Sequence, residues 1–390
     1  MLKACPSLKT DPPDQLMASA TGNWLLRRYP AAAHPSLRAW DAADERLIDA
    51  ALPLLQPSSA ALVWVLNDNF GAITTALQAW QPWLISDSWI SHDACQRNLA
   101  ANSLACNPAR LCSVLALPDG QPDLVLIKIP KSLALLEHQL RSLKPALRPG
   151  TQVIAGAMVK HLQPAATTLL DTYIGPSQAS LAVKKARLLQ ATSDHQAITD
   201  PSPFPSCYQL AEHNLSLLNH ASVFCREHLD IGTRLLLEHL SGIPQAESII
   251  DLGCGNGIVG LLAARQQPAA NLTFIDESYM AVASAEANFR ASFGATRQAS
   301  FVTGNCLDGV AAASADLILN NPPFHQQHVV GDHIARQMHR QAFDVLRPGG
   351  ELWVVGNRQL GYHRTLKDLF GHCQTIASNP KFVVLRAIKH

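Results

Sequence analysis

Apolar residues in this chain gather in short runs separated by longer stretches of helical periodicity. In the second half the runs predict strands at 248–252, 272–276, 300–303, 317–320 and 352–355. Runs this short and this free of polar residues belong to strands buried on both faces. Alternating with helices, they describe an α/β fold with a mostly parallel sheet. A last pair, near 375–377 and 382–387, is split by Ser378-Asn379-Pro380-Lys381. That turn sequence predicts an antiparallel hairpin at the sheet edge.

The pattern occurs twice. Leu84 to Asn102 aligns without a gap on Phe274 to Ser292, so that Ser88 falls on Ser278 and Asn98 on Asn288. Further on, Asp123-Leu-Val-Leu-Ile aligns with Asp316-Leu-Ile-Leu-Asn, and Leu147-Arg-Pro-Gly with Leu346-Arg-Pro-Gly. Three blocks in the same order point to duplication of a whole domain. The proline-rich stretch 192–205 is the expected linker, giving domains 1–195 and 196–390.

Composition narrows the class. The 390 residues are 47% hydrophobic, enough for two cores, and 31 basic residues face 30 acidic ones. Gripping nucleic acid by bulk charge is thereby excluded, though a local patch is not. No apolar run is long enough for a membrane helix, and the N-terminus lacks the apolar core of a secretion signal. Nine cysteines without a C-x-x-C pair predict reduced thiols and no zinc site. A soluble, cytoplasmic, monomeric protein is expected.

The chemistry concentrates in the second half. Ile249 to Gly260 is an apolar strand entering a turn with Gly253, Gly255 and Gly257, then a helix. Glycines there let the backbone approach a ligand, and Asp276, at the end of the next strand, can accept both hydroxyls of a ribose. A nucleoside cofactor follows, and on these residues alone NAD remains open. Asp251-Leu-Gly-Cys-Gly255 resembles the first motif of S-adenosylmethionine-dependent methyltransferases more closely; Gly304-Asn305 is the expected adenine contact. Cys254 and Cys306 read as small filler residues.

Asn320-Asn321-Pro322-Pro323-Phe324 ends the fourth strand, beside the expected cofactor. It resembles the catalytic loop of methyltransferases acting on planar amino groups: adenine N6, guanine N2 or a glutamine amide. The lone pair of such a nitrogen is delocalised. The Asn321 side-chain oxygen and the Pro322 carbonyl can accept its two N–H bonds and favour a pyramidal nitrogen, while Phe324 stacks the base. His325-Gln-Gln-His328 with Asp332 has ligand-like spacing but reads as a loop over the substrate, and no metal is expected. The resemblance to methyltransferases implies that the segment 214–232 closes over the cofactor, with Phe224 and Asp230 as contacts.

The first half has lost these groups. Lys128-Ile129-Pro130-Lys131 stands for the Asn-Pro-Pro-Phe segment, Ser86 for Asp276, and Leu66-Asn-Asp-Asn-Phe-Gly71 for the glycine turn. This domain is expected to bind no cofactor. Lys128 and Lys131 are expected to meet RNA phosphate; a basic face that only supports its partner domain is the alternative.

Taken together, the chain resembles the bacterial ribosomal RNA guanine-N2 methyltransferases built from two tandem domains, and most closely those acting on 23S rRNA. The blocks that carry this include Leu37-Arg-Ala-Trp-Asp-Ala-Ala-Asp-Glu45, Leu126-Ile-Lys-Ile-Pro-Lys131, Asp251-Leu-Gly-Cys-Gly-Asn-Gly257, Asp276-Glu-Ser278 and Asn321-Pro-Pro-Phe-His-Gln-Gln-His328. Arg336, His339 and Gln359 depart from the family pattern. The resemblance implies two Rossmann-like class I methyltransferase domains, S-adenosyl-L-methionine as cofactor and 23S rRNA as partner. It implies cofactor contacts at Asp251, Gly253, Gly255, Gly257, Asp276 and Asn305. Catalysis falls to Asn321, Pro322 and Phe324. A 16S rRNA, DNA-adenine or protein-glutamine acceptor, or a non-catalytic assembly factor, are the alternatives.

Overall fold

The computed structural model describes residues 15–31, 37–56, 60–194, 196–323 and 331–390. Two hairpins and two seven-stranded sheets organise it. Strands β1 (Gln15–Ser19) and β2 (Gly22–Leu26) form the first hairpin. The first sheet holds β3 (Val63–Leu66), β4 (Trp83–Ser86), β5 (Leu111–Ser113), β6 (Leu124–Lys128), β7 (Gln152–Met158), β8 (Ser177–Ala179) and β9 (Ala186–Thr192). Strands β10 (Ser206–Leu210) and β11 (Leu215–Asn219) form the second hairpin. The second sheet holds β12 (Ser248–Leu252), β13 (Asn271–Asp276), β14 (Ala299–Thr303), β15 (Ala315–Asn320), β16 (Leu346–Asn357), β17 (Gln374–Ser378) and β18 (Phe382–Ile388).

The first sheet runs β5-β4-β3-β6-β7-β9-β8 and the second β14-β13-β12-β15-β16-β18-β17, the same order nine strands later. Within each, five strands are parallel and the last two antiparallel. Val63–Leu66 is buried throughout, as its uninterrupted apolar run requires when helices cover both faces. The edge hairpin turns as expected, because Asn379 Oδ1 accepts the Lys381 and Phe382 amides at 2.9 and 2.7 Å. The fifth strand is longer than its apolar run, extending back through Leu346 to pair with Ala315.

Duplication is visible in the supports. Asn98 clamps the first hairpin through the Arg27 amide and carbonyl, both at 2.8 Å, and also binds Phe70 O. Asn288 does the same to Leu218 and Asn256. Gly71 and Gly257 begin equivalent helices at φ +76° and +80°. A Cβ on Gly257 would lie 2.8 Å from Ala285 Cβ, so only glycine lets that helix close on its neighbour.

Equivalent residues of the two halves also meet each other. Ser88 and Ser278 cap the helices Trp89–Ala101 and Tyr279–Phe293. The Trp89 amide donates to Glu277 O and the Tyr279 amide to Asp87 O, both at 2.9 Å. The Ser88 hydroxyl donates to Glu277 at 2.5 Å and the Ser278 hydroxyl to Asp87 at 2.6 Å. Ala221 and Met280 of the second half are buried in an apolar core of the first. The halves thus share packing as well as hydrogen bonds. No helix among the described residues is long and apolar enough to cross a membrane.

Candidate active site

Strand β12 lies inside its sheet, with β13 on one side and β15 on the other. Their carboxyl ends mark the position at which open α/β sheets bind ligands. Gly253 and Asn321 follow β12 and β15, and Asp276 is the last residue of β13. The Gly253 and Cys254 amides donate back to Ile275 O at 2.8 and 3.0 Å, which bends the glycine turn across the end of β13. A Cβ built on Gly253 would stand 3.7 Å from Asn321 O, whereas one on Gly255 would meet nothing within 4 Å. The turn therefore abuts the Asn-Pro-Pro segment at one glycine and borders open space at the next.

Asp276 ties these strand ends together. Its Oδ2 accepts the Gly255 amide and its Oδ1 the Ser278 amide, both at 3.0 Å. Its backbone carbonyl accepts the Gly304 amide at 2.9 Å, bringing Gly304 and Asn305 alongside. Burial pushes the Asp276 carboxyl up, and these backbone N–H groups pull it back. Asn305 Nδ2 donates to Asp308 at 2.9 Å. Cys254 and Cys306 are buried; burial raises both thiols, Cys306 to about 12, so neither is a thiolate at neutral pH.

Asp251 lies within β12, ahead of the glycine turn. It is 3% exposed, and its carboxylate accepts the Gly260 amide at 2.7 Å, holding the helix after the turn. This geometry makes it a support of the glycine turn. Burial, then the charge of Asp276, raises its pKa to about 7; burial likewise lifts Asp87 to about 6. Both carboxyls keep a proton in the folded chain that they lose near pH 4 when unfolded. Stability should therefore fall as pH rises from about 4 through 7. We expect Tm at pH 8 to lie on the order of 5 °C below that at pH 5.5 by calorimetry. Asp251→Asn, which keeps an acceptor for Gly260, should flatten the slope.

The Asn-Pro-Pro segment is anchored from both sides. Asn320 Nδ2 donates to Leu252 O at 2.8 Å, and Asn321 Nδ2 donates to Thr233 Oγ1 at 2.8 Å. Asn321 Oδ1 is buried without a hydrogen-bond partner among the described residues. Such an acceptor costs about 1–3 kcal/mol unless a ligand donates to it, so it fits a substrate N–H. Pro322 is buried. Phe324 and His325-Gln-Gln-His328 lie outside the described residues, as does the side chain of Asp332. Phe224 is 66% exposed, and Asp230 caps the helix Ile231–Glu238. No group of three metal-ligating side chains occurs among the described residues. His339 is fully buried, with its ring edge-on to Tyr362.

At the equivalent place of the first half a cavity of about 400 Å³ is lined by Asp68, Asn69, Phe70, Ser88 and Lys128, and by Glu277, His333 and Ile334 of the second half. Lys128 Nζ lies 2.8 Å from Asp41 and 2.6 Å from Asp44. Its charge is thus compensated inside the domain, where a lysine offered to phosphate was expected. Lys131 is exposed. Thr233 and Asp87 escaped the sequence reading, since a threonine in a helical stretch and an aspartate after a short strand carry no local signal. The duplication alone could have pointed to Asp87, which aligns with Glu277 beside Asp276.

A doubly wound sheet with a glycine turn, a strand-end aspartate and an Asn-Pro-Pro loop defines a methyltransferase, here with a second, altered copy of its domain. The family model for the RLMG N-terminal domain matches residues 14–195, and that for the methyltransferase small domain matches 214–386. The chain is 51% identical to a Stutzerimonas stutzeri protein, over 93% of this chain and 96% of that one. It is 44% identical to one from Streptomyces avermitilis, over 96% and 99%. Both relatives are named ribosomal RNA large subunit methyltransferase G, and the chain belongs to that family. Among solved structures, the T. thermophilus 16S rRNA N2 methyltransferase RsmC, in complex with AdoMet and guanosine, superposes with a TM-score of 0.74. Identity is 20%, over 97% of this chain and 98% of that one, a likeness of fold.

Proposed function

We propose that the chain transfers the methyl group of S-adenosyl-L-methionine to the exocyclic N2 of one guanine in 23S rRNA. The buried, unpartnered Oδ1 of Asn321 carries the reading, because it is an acceptor waiting for a planar amino group. The acceptor RNA is argued from the family. S-adenosyl-L-methionine supplies an electrophilic methyl on a sulfonium. Asp276 accepts its ribose hydroxyls, Gly253, Gly255 and Gly257 let the backbone approach it, and Asn305 borders its adenine. Asn321 Oδ1 and the Pro322 carbonyl hold the two N–H bonds of the guanine amino group, and Phe324 stacks the extruded base. Positioning does most of the work, since the methyl arrives already activated.

The altered first domain meets the RNA backbone in this reading, through Lys131 rather than Lys128. Partial desolvation, then Lys160 and Lys131, lower the pKa of His161, which places these three groups in one exposed basic cluster. Replacing both lysines by glutamate should raise the KM for RNA and leave cofactor affinity unchanged. The slope of log affinity against log salt should drop by about one per lysine, read by filter binding. An unchanged slope would assign the cluster to a solvated face.

The test is radiolabelled S-adenosylmethionine offered to unmodified 23S rRNA, 16S rRNA and duplex DNA, followed by nucleoside analysis. N2-methylguanosine from 23S rRNA alone supports the proposal. Label only in 16S rRNA would keep the chemistry and overturn the acceptor. Absence of label from every nucleic acid would overturn the proposal and direct attention to protein glutamine.

A further inference from the structure

A carboxamide can be held the wrong way round. Asn321 accepts a substrate N–H only through Oδ1. A half-turn about its last side-chain bond would present the NH2 group in the same space with little steric change. Nothing within Asn-Pro-Pro distinguishes the two orientations.

The choice is made by the helix Ile231–Glu238, far away in sequence. Its N-cap, Asp230, accepts the Thr233 amide at 2.9 Å and lies 3.4 Å from the Thr233 hydroxyl, which donates to the same oxygen. A carboxylate only accepts, so the hydroxyl proton points toward Asp230 and the Thr233 lone pairs are what remain to offer. Asn321 Nδ2 donates into them at 2.8 Å. Thr233 is 6% exposed, so water competes little for this contact. The consequence is the buried, unpartnered Oδ1 on the other side of the amide.

We infer that Thr233 is a positioning residue for methyl transfer. A one-way relay from Asp230 through Thr233 to Asn321 keeps the carboxamide oxygen, and not its NH2, toward the substrate amino group. The inference rests on the functional reading above and adds what keeps its acceptor aimed. Threonine works through its hydroxyl: serine retains the relay, whereas valine keeps the shape and loses it. Without the hydroxyl the amide is free to turn, and a donor would then face a donor.

The test uses the full chain and single-turnover labelling of unmodified 23S rRNA, with calorimetric titration of S-adenosylmethionine alongside. Thr233→Val should slow label transfer by roughly 10- to 100-fold, the scale of a misplaced reacting group, while the cofactor Kd stays within about twofold. Thr233→Ser should recover to within about threefold of the original rate. Combined with Asn321→Ala, the valine change should slow transfer no further, because it acts only through that side chain. An undiminished Thr233→Val would overturn the inference. So would a serine variant as slow as valine, or a valine loss that multiplies in full on Asn321→Ala. An unsubstituted chain inert toward 23S rRNA would overturn the functional reading and the inference with it. An active one showing any of the other outcomes would overturn the inference alone.

Discussion

Asn321→Ala should transfer methyl groups about 10²–10³-fold more slowly at saturating cofactor and RNA, the loss typical of one preorganised polar group removed from a transition state. Cofactor affinity should stay within about twofold, since Asn321 is assigned to the substrate amino group and not to the cofactor. The fold should tolerate the change. The side chain gives one hydrogen bond, to Thr233, and its oxygen is already unpartnered, so truncation removes an unsatisfied buried acceptor together with a single contact. Single-turnover labelling with a calorimetric cofactor titration separates the two effects. Turnover near the unsubstituted rate would remove Asn321 from the chemistry.

Asp276→Ala should fail in the complementary way. Hydrogen bonds to a charged acceptor are worth about 1.5–3 kcal/mol each, so losing two to a ribose predicts a cofactor Kd raised by about 150-fold or more. The same carboxylate accepts the Gly255 and Ser278 amides, so its loss also loosens the glycine turn. Asp276→Asn, with one acceptor oxygen left, should fall between. At saturating cofactor, label transfer should recover to within about tenfold of the original rate, because the acceptor at Asn321 is untouched. A Kd unchanged by calorimetry would place the cofactor elsewhere. Together the two variants split the site into a part that holds the donor and a part that aims the acceptor.

The two halves of the site differed in legibility for a physical reason. The glycine turn and Asp276 announce themselves because backbone conformation and strand ends are local matters. Gly253, Gly255 and Gly257 all have positive φ, which few other residues adopt. Asn-Pro-Pro is legible likewise, as prolines constrain their own backbone. For Asp251 local logic gave the position in the motif but not the direction of the side chain. It sits in the motif, yet its side chain turns inward to Gly260, a direction that depends on how the helix packs over the strand. The pairing of Lys128 was hidden for a related reason: its partners, Asp41 and Asp44, lie more than eighty residues upstream.

By itself, the sequence determined the strand runs, their duplication, the glycine turn and the Asn-Pro-Pro loop at the strand ends, because each is written in neighbouring residues whose periodicity or backbone preference is intrinsic. Only the tertiary structure decided which charges are spent internally, how Asp87 and Glu277 join the halves through each other's serine, and which way the Asn321 carboxamide faces. Those outcomes rest on hydrogen bonds between residues distant in the chain. Folding must first bring the groups together, and burial then obliges each polar atom to take the partner within reach.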